Sequence, residues 1–136
     1  MKKLLVILFV LFLPLISLSQ GLGDDYKTVF SKVKNEEKFS NVAFNITDDR
    51  RWINADGKLG WCSYGFALDG EDYCNVVILI PYTVETATDL IKYNNANLVV
   101  IDTNNWNLYR QDGAIVRISL KSIDNNLTFY YYFLKL

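Results

Sequence analysis

The chain contains no histidine, only two cysteines and two prolines, and a single methionine, the initiator. Each shortage removes a class of chemistry. Without His no side chain has an unperturbed pKa near neutrality, so an enzyme built on this chain would need a displaced carboxylate, lysine or thiol as its general base. A thiol nucleophile would lack the imidazole that ordinarily activates it. Zinc is disfavoured because two thiols and no imidazole leave its four-ligand set incomplete unless carboxylates fill it. Basic residues are not in excess: 14 Lys and Arg stand against 15 Asp and Glu, and they are scattered along the chain. That excludes the concentrated positive face that phosphate contacts require. The sequence therefore predicts no metal, no cofactor and no nucleic-acid partner.

Long apolar runs are also missing, with one exception. Lys2 and Lys3 precede an uninterrupted apolar stretch from Leu4 to Leu13, extended past Pro14 to Ile16 and followed by Ser17-Leu18-Ser19-Gln20-Gly21. A spanning helix needs roughly 20 apolar residues, so this run is too short and is broken by Pro14. It reads as a secretory signal peptide over 1–19, with small residues Ser17 and Ser19 at the −3 and −1 positions and cleavage between Ser19 and Gln20. No cysteine ends the apolar run, so no lipid anchor is expected. The product predicted is a secreted or periplasmic protein with no stable membrane span after signal cleavage. Residues 20–136 then form a single secreted domain, large enough for its own core. Losing both leader lysines leaves 12 basic against 15 acidic residues, a net charge of −3.

What the remaining chain has in abundance is aromatic residues and alternating apolar patterns. After Asp24 and Asp25, Tyr26, Val29, Phe30 and Val33 fall at helical spacing, with Lys27, Lys32 and Lys34 elsewhere on the wheel. Val42, Phe44 and Ile46 alternate as in a half-buried strand. Asp56-Gly57 predicts a hairpin placing Arg51 to Ala55 against Lys58 to Leu68. The run Val76 to Ile80 is apolar on both faces and predicts a central strand within Tyr73 to Ile80. Pro81 closes it, Thr83 caps a second helix to Tyr93, and Val84, Ala87, Leu90 and Ile91 supply its apolar stripe. Strands follow over Leu98 to Ile101, Trp106 to Gln111, Ala114 to Lys121 and Leu127 to Lys135. If Asp124-Asn125 is a two-residue turn, facing residues sum to 249, pairing Leu120 with Phe129, Ile118 with Tyr131 and Val116 with Phe133. The opposite face then carries Arg117, Ser119 and Lys121 beside Tyr132, Tyr130 and Thr128. The fold predicted is α+β: a mostly antiparallel sheet of about six to eight strands with two helices packed on one face. No linker composition or internal repeat suggests a second domain.

Cys62 and Cys74, alone in an exported chain, predict a disulfide. The geometry is awkward, since an Asp69-Gly70 hairpin tip places position 74 opposite 65, three residues from Cys62. Asp69, Glu71 and Asp72 do not match the spacing of a calcium loop and read as a solvated hairpin tip. Asn45-Ile46-Thr47 and Asn126-Leu127-Thr128 match the N-glycosylation triplet, which arises readily by chance in an Asn-rich chain.

Flat rings with polar tips stack on sugars and anchor protein interfaces. The candidate ligand- or partner-binding residues are Trp52, Trp61, Trp106, Tyr109, Tyr130, Tyr132, Arg117 and Lys121. The reading that asks least of the residues present is a noncatalytic exported module that binds a protein through an aromatic sheet face, its partner a protein or glycan of the cell envelope or exterior. A carbohydrate-binding module using the tryptophans is the second reading. A small hydrolase working through carboxylates, with Glu85 and Asp48 or Asp49 as nominees, is the third, but no spacing ties these acids together.

Overall fold

The computed structural model describes residues 21–68 and 72–136. The expected signal peptide and the hairpin tip Asp69-Gly70-Glu71 lie outside the described residues. Among the described residues, two helices and eight strands follow in the order α1 (Tyr26–Asn35), β1 (Ser40–Ile46), β2 (Arg50–Asp56), β3 (Gly60–Ala67), β4 (Cys74–Pro81), α2 (Val84–Asn97), β5 (Val99–Asp102), β6 (Asn105–Tyr109), β7 (Ile115–Ile123) and β8 (Asn126–Lys135). All eight strands belong to one antiparallel sheet, ordered β1-β2-β3-β4-β8-β7-β6-β5. The chain thus builds a helix followed by a four-stranded meander, and then does so again. The final strands of the two halves, β4 and β8, pair at the centre of the sheet, and β1 and β5 form its edges.

The α+β class and strand count agree with expectation, as do both helices in kind. Asp25 caps α1, its side chain accepting the Thr28 N–H at 2.7 Å. Thr83 caps α2, accepting from Thr86 N–H at 3.1 Å. α2 runs four residues past the expected exit. Asn is a poor helix former and signals termination, but Asn94 is buried here and Asn97 Nδ2 donates to the Tyr93 carbonyl at 2.9 Å, carrying the last turn. The β7–β8 register is the one predicted: Leu120 faces Phe129, Ile118 faces Tyr131 and Val116 faces Phe133. Asp124 and Asn125 hold φ of 49° and 65°, the left-handed pair a two-residue hairpin turn needs.

Register sorts the sheet into two faces. One row crosses it as Ile53 on β2, Tyr64 on β3, Val77 on β4, Tyr131 on β8, Ile118 on β7 and Trp106 on β6, and every member is buried. The adjoining row, Ala55, Cys62, Leu79, Phe129 and Leu120, is apolar as well. Tyr26 and Phe30 of α1 pack their rings 5.0 and 5.2 Å from Phe66 and Phe44, and Asn95 of α2 accepts Trp106 Nε1–H at 2.8 Å. By alternation, Phe66, Phe44 and Trp106 all belong to this buried face.

The expected disulfide is absent: Cys62 and Cys74 are free and buried. Both point into the apolar face, but Cys62 lies opposite Leu79 while Cys74 lies opposite Phe66. That places the two Cα atoms four residues apart along the strands, on the order of 13 Å at about 3.3 Å per residue. A bridge requires them within about 7 Å. The hairpin spacing predicted from Asp69-Gly70 falls near the observed pairing, and the bulge between Gly65 and Phe66 does not bring the cysteines together.

Candidate functional site: an aromatic and polar sheet face

The second face of the sheet carries the candidate residues in three consecutive rows. The first row runs Asn107, Arg117, Tyr132, Val76, Gly65, Trp52 from β6 to β2. The second runs Asn105, Ser119, Tyr130, Ile78, Ser63, Asn54. One rung beyond the buried Leu79–Phe129 row lie Lys121, Thr128, Ile80, Trp61 and Asp56. The face is therefore apolar along its midline, tryptophan-bearing on β2 and β3, and basic and tyrosine-bearing on β7 and β8.

Its side chains are positioned by one another. A Cβ on Gly65 would fall 2.8 Å from Trp52 Cζ3 and 2.6 Å from Val76 Cγ1, so the Trp52 ring lies across the glycine and against β4. Only a residue without a side chain permits that seat. Trp52 Nε1–H donates to Thr47 Oγ1 at 3.2 Å, and the Arg50 guanidinium carbon sits 6.0 Å from the ring centroid. Arg50 in turn donates to the Asn75 side-chain oxygen. On the other half, Arg117 Nε–H donates to Asn107 Oδ1 at 2.7 Å, Ser119 donates to Asn105 Oδ1 at 2.6 Å and lies 3.2 Å from the Tyr132 hydroxyl, and Lys121 Nζ stands 5.1 Å from the Tyr130 centroid. Ser63 donates to Asn54 in the second row, so that row reads Asn–Ser from both ends toward Ile78 and Tyr130 at its centre.

Six of the eight candidate residues, Trp52, Trp61, Arg117, Lys121, Tyr130 and Tyr132, thus meet on one face. Tyr109 follows on the same side by alternation and is exposed, but at the far end of β6. Trp106 is a correction: it is fully buried, 0% exposed, on the opposite face, where the ring fills the core beneath α2. Its partners Val100 and Ile118 and the apolar Leu108 two residues on carry the signal that this register turns inward. Sequence reasoning missed Asn54, Ser63, Asn105 and Asn107, and the outward members Val76, Ile78 and Ile80 of the apolar run. Only the strand order places those residues beside the tryptophans.

No family model, no curated protein and no solved structure matches the chain. The chemistry of the face must therefore be read from its own groups. Among the described residues no cluster of three or more Cys, Asp or Glu side chains is arranged to hold a metal, and no helix is long and apolar enough to cross a membrane. The cavity between α1 and β3, beside Val29, Val33, Phe39 and Tyr64, holds about 40 Å³ and one beneath the start of α2 about 100 Å³, whereas a shallow groove open to solvent along α1, beside Lys27, Thr28, Ser31, Lys32 and Asn35, spans about 490 Å³ without enclosing it. Small-molecule sites enclose roughly 300–1,000 Å³. Burial pushes the Cys62 and Cys74 thiols up to about 12, so both are protonated at neutral pH and unreactive as nucleophiles. Asp102 is held below the usual carboxylate range by the Asn104 N–H and then the Asn105 amide. Asp25 is held low by the Thr28 N–H.

Proposed function

We propose that this is an exported, noncatalytic module that binds a protein partner through the open face built on Trp52, Trp61, Tyr130, Tyr132, Arg117 and Lys121. The observation that carries the reading is the register, which gathers six aromatic or basic residues from four strands into three adjoining rows on one side. We infer that α1 and α2 both cover the other side, supported by their contacts to Phe66, Phe44 and Trp106. An antiparallel sheet with one packed face leaves the second for water or a partner. Aromatic and Arg anchors on such a surface are the residues that dominate protein interfaces. The noncatalytic reading rests on the lack of His in the sequence, which leaves no side chain with an unperturbed pKa near neutrality to serve as a general base. Export rests on the leader read from Lys2 to Ser19 and places the partner in the envelope or outside the cell.

The test compares capture by the wild-type protein with capture by Trp61→Ala/Arg117→Ala and by a control substitution on the outer surface of α1, Lys27→Ala. A specific partner is retained by the control and lost by the face variant. Equal capture by all three would refute the reading. Titration with glycans while following tryptophan fluorescence serves as the counter-test, since saturable quenching by a sugar would move the face to carbohydrate binding.

A further inference from the structure

The open face has two unlike halves, and they are complementary to each other. On β2 and β3 stand Trp52, Trp61 and Asp56; on β7 stand Arg117 and Lys121, in the same rows. Because β4 and β8 pair at the centre, β3 and β7 lie equally far from the midline, one on each side. Rotating a second copy by a half turn about an axis parallel to the strands brings β3 of one copy over β7 of the other with row heights preserved. Arg117 then meets Gly65 with the Trp52 ring lying across it, and Lys121 meets Trp61 with Asp56 beside it. The contact is made twice, as an isologous interface demands. A half turn about the perpendicular in-plane axis instead puts β7 on β7 and Arg117 against Lys121, a like-charge contact.

We propose that this face is a self-association surface, on which a second copy of the chain packs sheet to sheet with its strands aligned. The inference rests on the reading of the face as a protein-binding surface and names its occupant. Aligned sheets pack about 10 Å apart with strand directions within about 30°. Eight strands about 4.8 Å apart and about five residues deep present roughly 600 Å² per copy. Two such faces cover about 1,200 Å², the lower bound for a specific interface. Trp61 and Lys121 are exposed, and each provides one half of a cation–π pair across the axis.

Sedimentation velocity of the purified protein over a concentration series tests this directly. The expected result is reversible growth to twice the chain mass. Two single substitutions at exposed positions, Lys121→Glu and Trp61→Lys, each remove both symmetric contacts and weaken self-association by about 30-fold or more. An equimolar mixture of the two regains the dimer, because one half of the interface becomes a Lys–Glu pair and the other half keeps the native Trp61–Lys121 contact. Circular dichroism confirms that both variants fold. Wild-type protein that stays monomeric up to about 200 µM overturns the dimer, and leaves partner capture by the face to be judged by its own assay. Variants that associate as the wild type does, or a mixture that fails to regain the dimer, overturn the proposed contact as well.

Discussion

The two buried thiols make stability depend on alkaline pH in a way that a bridged chain could not. Cys62 and Cys74 are held at about 12 by burial, against about 8.5 in an unfolded chain. Between these values the unfolded state releases protons that the folded state retains, so unfolding becomes more favourable as pH rises. Below about pH 8.5 the contribution is intact; above it, stability falls until the folded thiols themselves ionise near 12. One pH unit past the unfolded pKa, at about pH 9.5, each thiol has lost about 1.4 kcal/mol and the pair about 3 kcal/mol, a substantial part of the 5–15 kcal/mol that holds a domain folded. Tyr64 and Tyr131, also raised by burial, join only above the ordinary tyrosine range near pH 10. Urea unfolding followed by far-ultraviolet circular dichroism at pH 7.5, 8.5 and 9.5 measures the loss. The Cys62→Ala/Cys74→Ala protein begins less stable, because two packed side chains are shortened, but holds its stability to pH 9.5. Parallel profiles for the two proteins would refute the assignment of the pH dependence to the thiols. Alkylation of the unfolded, unreduced chain gives an independent count: two reactive thiols are expected, and none would restore the bridge.

Gly60→Ala is expected to destabilise the protein by about 1–3 kcal/mol in chemical denaturation, because its Cβ would lie 2.1 Å from the Ile80 carbonyl oxygen and force β3 away from β4. A neutral result would mean the strands separate there without loss. Trp106→Ala should cost about 3–5 kcal/mol as the largest fully buried ring is removed, and Trp106→Phe markedly less. In the Phe variant the iodide-quenchable emission, carried by Trp52 and Trp61, is unchanged while the blue-shifted component disappears; loss of the quenchable component instead would reverse the assignment of faces. Thr83→Ala removes the acceptor for Thr86 N–H and should lower the melting temperature with a cost of about 1 kcal/mol, whereas Thr83→Ser restores most of it.

Patterns that repeat over a few residues are legible in the sequence alone. Tyr26, Val29, Phe30 and Val33 make α1 amphipathic by spacing alone, and Asp124-Asn125 pins the β7–β8 register because a two-residue turn leaves no freedom in which residues face each other. From that register Arg117, Ser119 and Lys121 could be set beside Tyr132, Tyr130 and Thr128. The nomination of Trp106 failed because a short strand such as Asn105–Tyr109 reads equally well with either parity, and only its pairing with Ile118 shows which face turns inward. The disulfide failed because counting cysteines says nothing of distance: the two residues share a face but sit four rungs apart.

Local chemistry in the chain settled the helices, the turns, most strand limits and the pairing of neighbours across short loops, since those depend on φ/ψ preferences and on side-chain periods of two or about four residues. The tertiary structure alone decided that β4 pairs with β8, bringing Val76 to Leu79 against Phe129 to Tyr132 across the whole second half of the chain. That one long-range pairing makes the two meanders a single sheet, and with it the tryptophans of β2 and β3 share a face with the cations of β7. No short-range pattern encodes it, because its free energy comes from burying both halves of the core together.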